Sequence, residues 1–114
     1  MPMLGINEHK IAGVPAIRLS GRIDYDTAPG LRKTLLKYVD REGTCLIADL
    51  EAVEYMDTTG LATLLEAHSR LRKQGGRMVL FGLGPQVHDL FTMNQVDRTF
   101  TIVADEAAAA ALVA

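Results

Sequence analysis

Two periodicities alternate along this chain, and that alternation limits its fold more than any other feature. From residue 14 onward, strand-like segments take turns with segments whose apolar residues recur at helical spacing. In "GVPAIRLSGRID", Ile17, Leu19 and Ile23 fall on one face and Arg18, Ser20 and Arg22 on the other, as in a half-buried strand. Pro15 marks an edge or a strand start. In "DTAPGLRKTLLKYVD", Thr27 is placed to cap a helix carrying Leu31, Leu35, Tyr38 and Val39, with Gly43 closing it. "CLIADL" and "MVLF" are short apolar runs, expected of central strands covered on one face or both. Between them a helix from about residue 58 to 74 carries Leu61, Leu64, Leu65 and Leu71 as a stripe and ends at Gly75-Gly76. Pro85 opens a third helix with Val87, Leu90 and Phe91, and "TFTIVA" is a last short strand. The acids heading "DEAAAAALVA" suit a helix N-terminus, and so short a helix must dock to persist. With a further strand at about residues 4–10, the order predicts an α/β fold: a mixed, largely parallel sheet of four to five strands with about four helices.

The chain's 114 residues suit one domain over 1–114, large enough to bury a core without a disulfide or structural metal. A formal net charge of −2 argues against direct nucleic-acid binding, which shows as an excess of Lys and Arg. Cys45, the single cysteine, reads as a core thiol in a buried strand and excludes an internal disulfide. "MPMLGINEHK" lacks a basic segment followed by an apolar run, and no apolar stretch approaches the roughly 20 residues of a membrane span. A cytoplasmic protein without a membrane span is expected.

Catalytic patterns are incomplete. "LFGLGPQVHDL" places Gly82-Leu83-Gly84 between a strand and a helix, but Val87 stands where a dinucleotide loop needs its third glycine, and the chain has no room for the remainder of that fold. A turn before a Pro-initiated helix accounts for these glycines. His9, His68 and His88 are scattered without metal-ligand spacing, and His68, on the leucine stripe, reads as a hydrogen-bonded residue at the core margin. No nucleophile, base and orienting group stand in a recognisable pattern. The expectation is a protein that is not an enzyme and takes no cofactor or metal.

Asp57-Thr58-Thr59-Gly60 remains, at the start of the leucine-rich helix. Asp and Thr are preferred N-caps, so capping alone would account for them. The same position suits a phosphate, which gains from the helix dipole and free N–H groups while adding about −1.5 to −2 charges. Asp57 would oppose that phosphate by like-charge repulsion. The residues by themselves leave both readings open.

The stretch from "DLEAVEYMDTTGLATLLEAHSRLRKQGG" through "RMVLFGLGPQVHDLFTMNQVDRTFTI" resembles the bacterial anti-sigma-factor antagonist family, the STAS domains. Shared with them are a strand ending Asp-Leu, an acid and a hydroxyl pair before Gly-Leu, a Leu-rich helix, Gly-Gly, a strand, and a helix ending in an L-F-x-x-x-x-x-D segment. "LSGRIDYDTA" is similar to the family's earlier L-x-G-x-[LI]-D segment. The resemblance implies a single STAS-like domain and a partner-switching regulator. Unphosphorylated, such proteins bind an anti-sigma factor that is also a serine/threonine kinase, and so release a sigma factor; a serine/threonine phosphatase acts on the phosphorylated form. Carried onto this sequence, Thr58 is the phosphoacceptor, Asp24 and Asp57 are the neighbouring acids, and Thr59, Gly60 and Leu61 belong to the docking neighbourhood. Two departures stand out. Threonine replaces the usual serine, adding a methyl group that restricts χ1, and Gln95 replaces a common glycine, leaving Asn94 to take the left-handed helix cap. The resemblance also admits a non-switching STAS scaffold, in a stress-signalling assembly or a lipid-transporter subunit, in which Thr58 and Thr59 merely cap the helix.

Overall fold

Each of three helices carries the chain back to the end of the sheet where the preceding strand began, so the strands they join lie parallel. The computed structural model describes residues 3–41 and 43–114; Met1 and Pro2 of the N-terminal segment read above lie outside them. The elements are β1 (Leu4–Ile11), β2 (Val14–Ile23), α1 (Ala28–Val39), β3 (Cys45–Met56), α2 (Thr58–Lys73), β4 (Arg77–Phe81), α3 (Pro85–Met93), β5 (Thr101–Val103) and α4 (Glu106–Val113). The sheet follows chain order, β1-β2-β3-β4-β5, with β1 antiparallel to β2 and the other neighbours parallel. Right-handed crossovers in such an order put all connecting helices on one face. Accordingly α1, α2 and α3 share one core, in which Leu31, Leu35, Leu61, Leu64, Leu71, Val87 and Phe91 pack on Ile17, Leu19, Leu46, Leu50 and Leu80.

The other face is covered by α4. Ala109, Ala110 and Val113 join Ile11, Ala16, Ile47, Val79 and Phe81 in a second cluster, with half-buried Cys45 at its margin. Asp105 caps this helix by accepting from the Ala108 amide at 2.9 Å. The "MVLF" strand is thus buried on both faces, and the alanine helix is stabilised by docking.

Several local expectations are corrected. β3 runs six residues past "CLIADL", because irregularities in its pairing with β2 shift its phase so that Leu50, Val53 and Met56 point inward at spacings of three. That spacing conceals a strand from a search for period two. β5 is shorter than "TFTIVA": Phe100 precedes it and packs between His68 and Phe91, with ring centroids 5.0 and 5.3 Å away. Thr27 occupies the N-cap position of α1 without capping it; its hydroxyl accepts from the Asp24 amide and donates to the Arg22 carbonyl. α1 ends at Val39, and Gly43, at φ 71°, turns the chain toward β3 instead of closing the helix. Asn94 is the C-cap of α3 at φ −93°, while Gln95 itself adopts the left-handed conformation at φ 58°.

His68 is 4% exposed, and its Nδ1 accepts from the Met78 amide at 3.3 Å, which requires that nitrogen to be unprotonated. Burial pushes its pKa below the ordinary histidine value; a hydrogen bond with the Thr99 backbone pulls the other way, and the Arg72 charge adds to the depression. The unfolded chain therefore takes up this proton first. Stability is full above the ordinary value of about 6.5 and declines as pH falls from there toward the folded pKa. Urea denaturation at a series of pH values is expected to show that decline, and His68→Gln is expected to flatten it.

Candidate functional site

The site arises from strand register. Ile23, the last residue of β2, pairs with Met56, the last residue of β3, so two parallel neighbours end at the same level. The next residues, Asp24 and Asp57, therefore emerge side by side at the C-terminal edge of the sheet, where α/β folds place their sites. A hydrogen bond from the Asp57 amide to the Ile23 carbonyl, 3.0 Å, continues the ladder one step beyond the strands.

Asp57 then joins the two loops. Its Oδ1 accepts from the Gly60 amide at 2.9 Å, capping α2, and its Oδ2 accepts from the Tyr25 amide at 3.0 Å. Asp24 organises its own loop: Oδ1 accepts from the Asp26 and Thr27 amides, and Oδ2 faces Arg22 Nε at 3.5 Å. Desolvation acts to raise the Asp24 pKa, but the hydrogen bonds from Thr27, Asp26 and Arg22 together outweigh it and hold it below the usual carboxylate value. Arg22 also lies over the Tyr55 ring, 4.4 Å from its centroid.

With Asp57 as the cap, the hydroxyls of Thr58 and Thr59 are not needed to start the helix. Both residues are exposed in the first turn of α2, and neither hydroxyl has a hydrogen-bond partner among the described residues. Their amides, among the orphan donors of a helix start, also lack partners there. Gly60 is buried where α2 meets the sheet; a Cβ on it would stand 2.6 Å from Ile23 Cγ2 and 2.7 Å from the Ile23 carbonyl oxygen. Leu61, expected on the docking surface, is 4% exposed and packs into the main core, because its place on the helix turns it toward the sheet.

Three further residues shape the site. Tyr25 is 76% exposed beside it, and a hollow of about 340 Å³ lies between Tyr25, Pro29, Arg32, Thr59 and Thr63. Arg32 grips Glu66 through two nitrogens, at 2.9 and 3.0 Å, tying α1 to α2 along that hollow. Gln86, in the first turn of α3, accepts from the Met56 amide at 2.9 Å and donates to the Met56 carbonyl at 2.8 Å. Its side-chain amide stands in for a neighbouring strand where β3 extends beyond β4. Nothing near Gln86 in sequence signals this contact, which spans 30 positions. Tyr25 was the more readable of these, an aromatic lying between two acids.

No group of three His, Cys, Asp or Glu side chains among the described residues could hold a metal ion, and none of the described helices is long and apolar enough to cross a membrane.

Residues 6–109 match the STAS domain family. The anti-sigma-B factor antagonist of Listeria monocytogenes is 41% identical over 75 residues, a match that spans 66% of this chain and 66%, just under two thirds, of that protein. An anti-sigma F factor antagonist of Paenibacillus polymyxa is 28% identical over 96 residues, 82% of this chain and 81% of that one. Among solved structures, an anti-sigma factor antagonist from Mycobacterium paratuberculosis superimposes with a TM-score of 0.81 at 27% identity, covering 90% of this chain and 87% of the other.

Removal of the bridging carboxylate gives a graded test. Asp57→Ala is expected to cost about 1–2 kcal/mol, the upper range for a lost cap, because two amides lose their acceptor. Asp57→Asn is expected to cost less, roughly 1 kcal/mol or below, since its oxygen still caps α2 while its NH₂ cannot accept from Tyr25. Urea denaturation gives the order, and amide exchange at Tyr25 is expected to quicken in both variants.

Proposed function

Because the chain belongs to the STAS domain family, we propose that it is an anti-sigma factor antagonist whose binding is switched by phosphorylation of Thr58. Unmodified, it binds an anti-sigma factor that is also a serine/threonine kinase, and a sigma factor is released. A serine/threonine phosphatase resets the phosphorylated form. The names of the Listeria and Paenibacillus relatives support the antagonist role.

One observation carries the switch: the Thr58 hydroxyl is exposed and, among the described residues, has no hydrogen-bond partner, while Asp57 performs the capping. A hydroxyl whose only role was to cap would be engaged with the helix. Here it is exposed, beside two amides without partners among the described residues, which favour an added phosphate. Asp24 and Asp57 limit how far the site welcomes that charge, but Thr58 is exposed and takes no part in the cap, so the modification leaves the domain folded and changes the surface a partner meets. A partner's apolar group would enter the hollow beside Tyr25, which Thr59 lines, and a dianion on the adjoining Thr58, desolvated and poorly paired on docking, would oppose the complex. The role is regulatory: Thr58 receives a phosphoryl group and catalyses nothing.

Thr58→Asp is expected to abolish binding to the cognate anti-sigma factor, measured by calorimetry, while its unfolding free energy from urea denaturation changes by no more than the roughly 0.5–2 kcal/mol of a cap. Thr58→Val, which keeps the shape without the hydroxyl, is expected to bind and to resist phosphorylation. Binding by the Asp variant at full strength would point to the scaffold role instead.

A further inference from the structure

At the other end of α2, roughly 20 Å along the helix from Thr58, lies a second groove, of about 570 Å³. Leu65, His68, Ser69 and Arg72 share one stripe of α2 and form one wall; Arg98 and Thr99 approach from the segment leading into β5, and Thr101 is its first residue. His68 is held by the Met78 amide and packs at a tilt of 42° against Phe100, so both sides of its ring are engaged with the core.

The groove's charges are unbalanced. Arg22, Arg32 and Arg70 each face a carboxylate, and Arg41 lies over the Tyr38 ring. Arg72 and Arg98, like Arg18 and Arg77, have neither kind of partner among the described residues; what distinguishes the two is that they line one groove, and no carboxylate lines it with them. Arg72, in the last turn of α2, complements the helix dipole. Arg98 sits on no helix, so the dipole does not account for the pair. The hydroxyls of Ser69, Thr99 and Thr101 likewise lack hydrogen-bond partners among the described residues, and all three line the same space.

We propose that this groove binds a small phosphate-bearing anion. Two guanidinium forks match the paired oxygens of a phosphate better than a single carboxylate would, and hydroxyls supply the further donors that a tetrahedral group can use. The site is remote from Thr58 and does not depend on the switch.

The test is titration of the ¹⁵N-labelled protein with sodium pyrophosphate at constant ionic strength, sodium chloride serving as the control. Saturable shifts are expected at the amides of residues 69–72 and 98–101, with a midpoint below about 1 mM. Arg72→Gln and Arg98→Gln, both at exposed positions, are each expected to weaken binding at least about tenfold. Lys33→Gln, which removes the same charge from the surface of α1, is expected to leave it unchanged. Shifts that do not saturate, that chloride reproduces, or that Lys33→Gln weakens equally would reduce the effect to general attraction of anions and overturn the proposal.

Discussion

The carboxylate of Asp57 accepts from two amides 35 positions apart, those of Tyr25 and Gly60, and the geometry of the functional end follows from it. One oxygen starts α2; the other holds the loop that leads into α1. The cap is local, but the bond to Tyr25 needs β2 and β3 to end together, and their parallel register, closing on Ile23 and Met56, ensures that they do. Strand pairing sets the two loops side by side and a single side chain locks them.

Around that lock the packing admits little slack. Gly60 brings the α2 backbone against Ile23, Gln86 holds the last residue of β3 through both its amide and its carbonyl, and Arg32 ties the two helices through Glu66. These contacts come from β2, α1, α2 and α3, so the exposed first turn of α2 rests on the rigid part of the molecule. A hydroxyl on such a platform can change its charge without moving its support, which a surface switch requires. α4 contributes from the far face by covering the strands that define the register.

The sequence conveyed much of this because periodicity reports burial. Every strand and helix expected from it exists, and Asp24 and Asp57 each follow the last residue of one of two paired strands. It was least informative where tertiary structure overrides local pattern. The bulged end of β3 replaced period two by spacings of three, and Thr27 found partners in Arg22 and Asp24 that a cap rule does not foresee. Leu61 shows the limit most clearly. It lies within one turn of Thr58 and Thr59, which are surface residues of the site, but helical phase turns it into the core. Gln86 lay beyond reach altogether, since a contact across 30 positions leaves no local trace.

The functional account depends on a division of labour in the first turn of α2, with the carboxylate capping and the first hydroxyl left to carry charge. The most direct test is peptide mapping by mass spectrometry of the protein purified from its native cells, with and without serine/threonine phosphatase treatment. The account predicts a phosphatase-sensitive phosphate on Thr58 in part of the population. A chain that carries none there across growth and stress conditions, or that carries it on Thr59 instead, would contradict it.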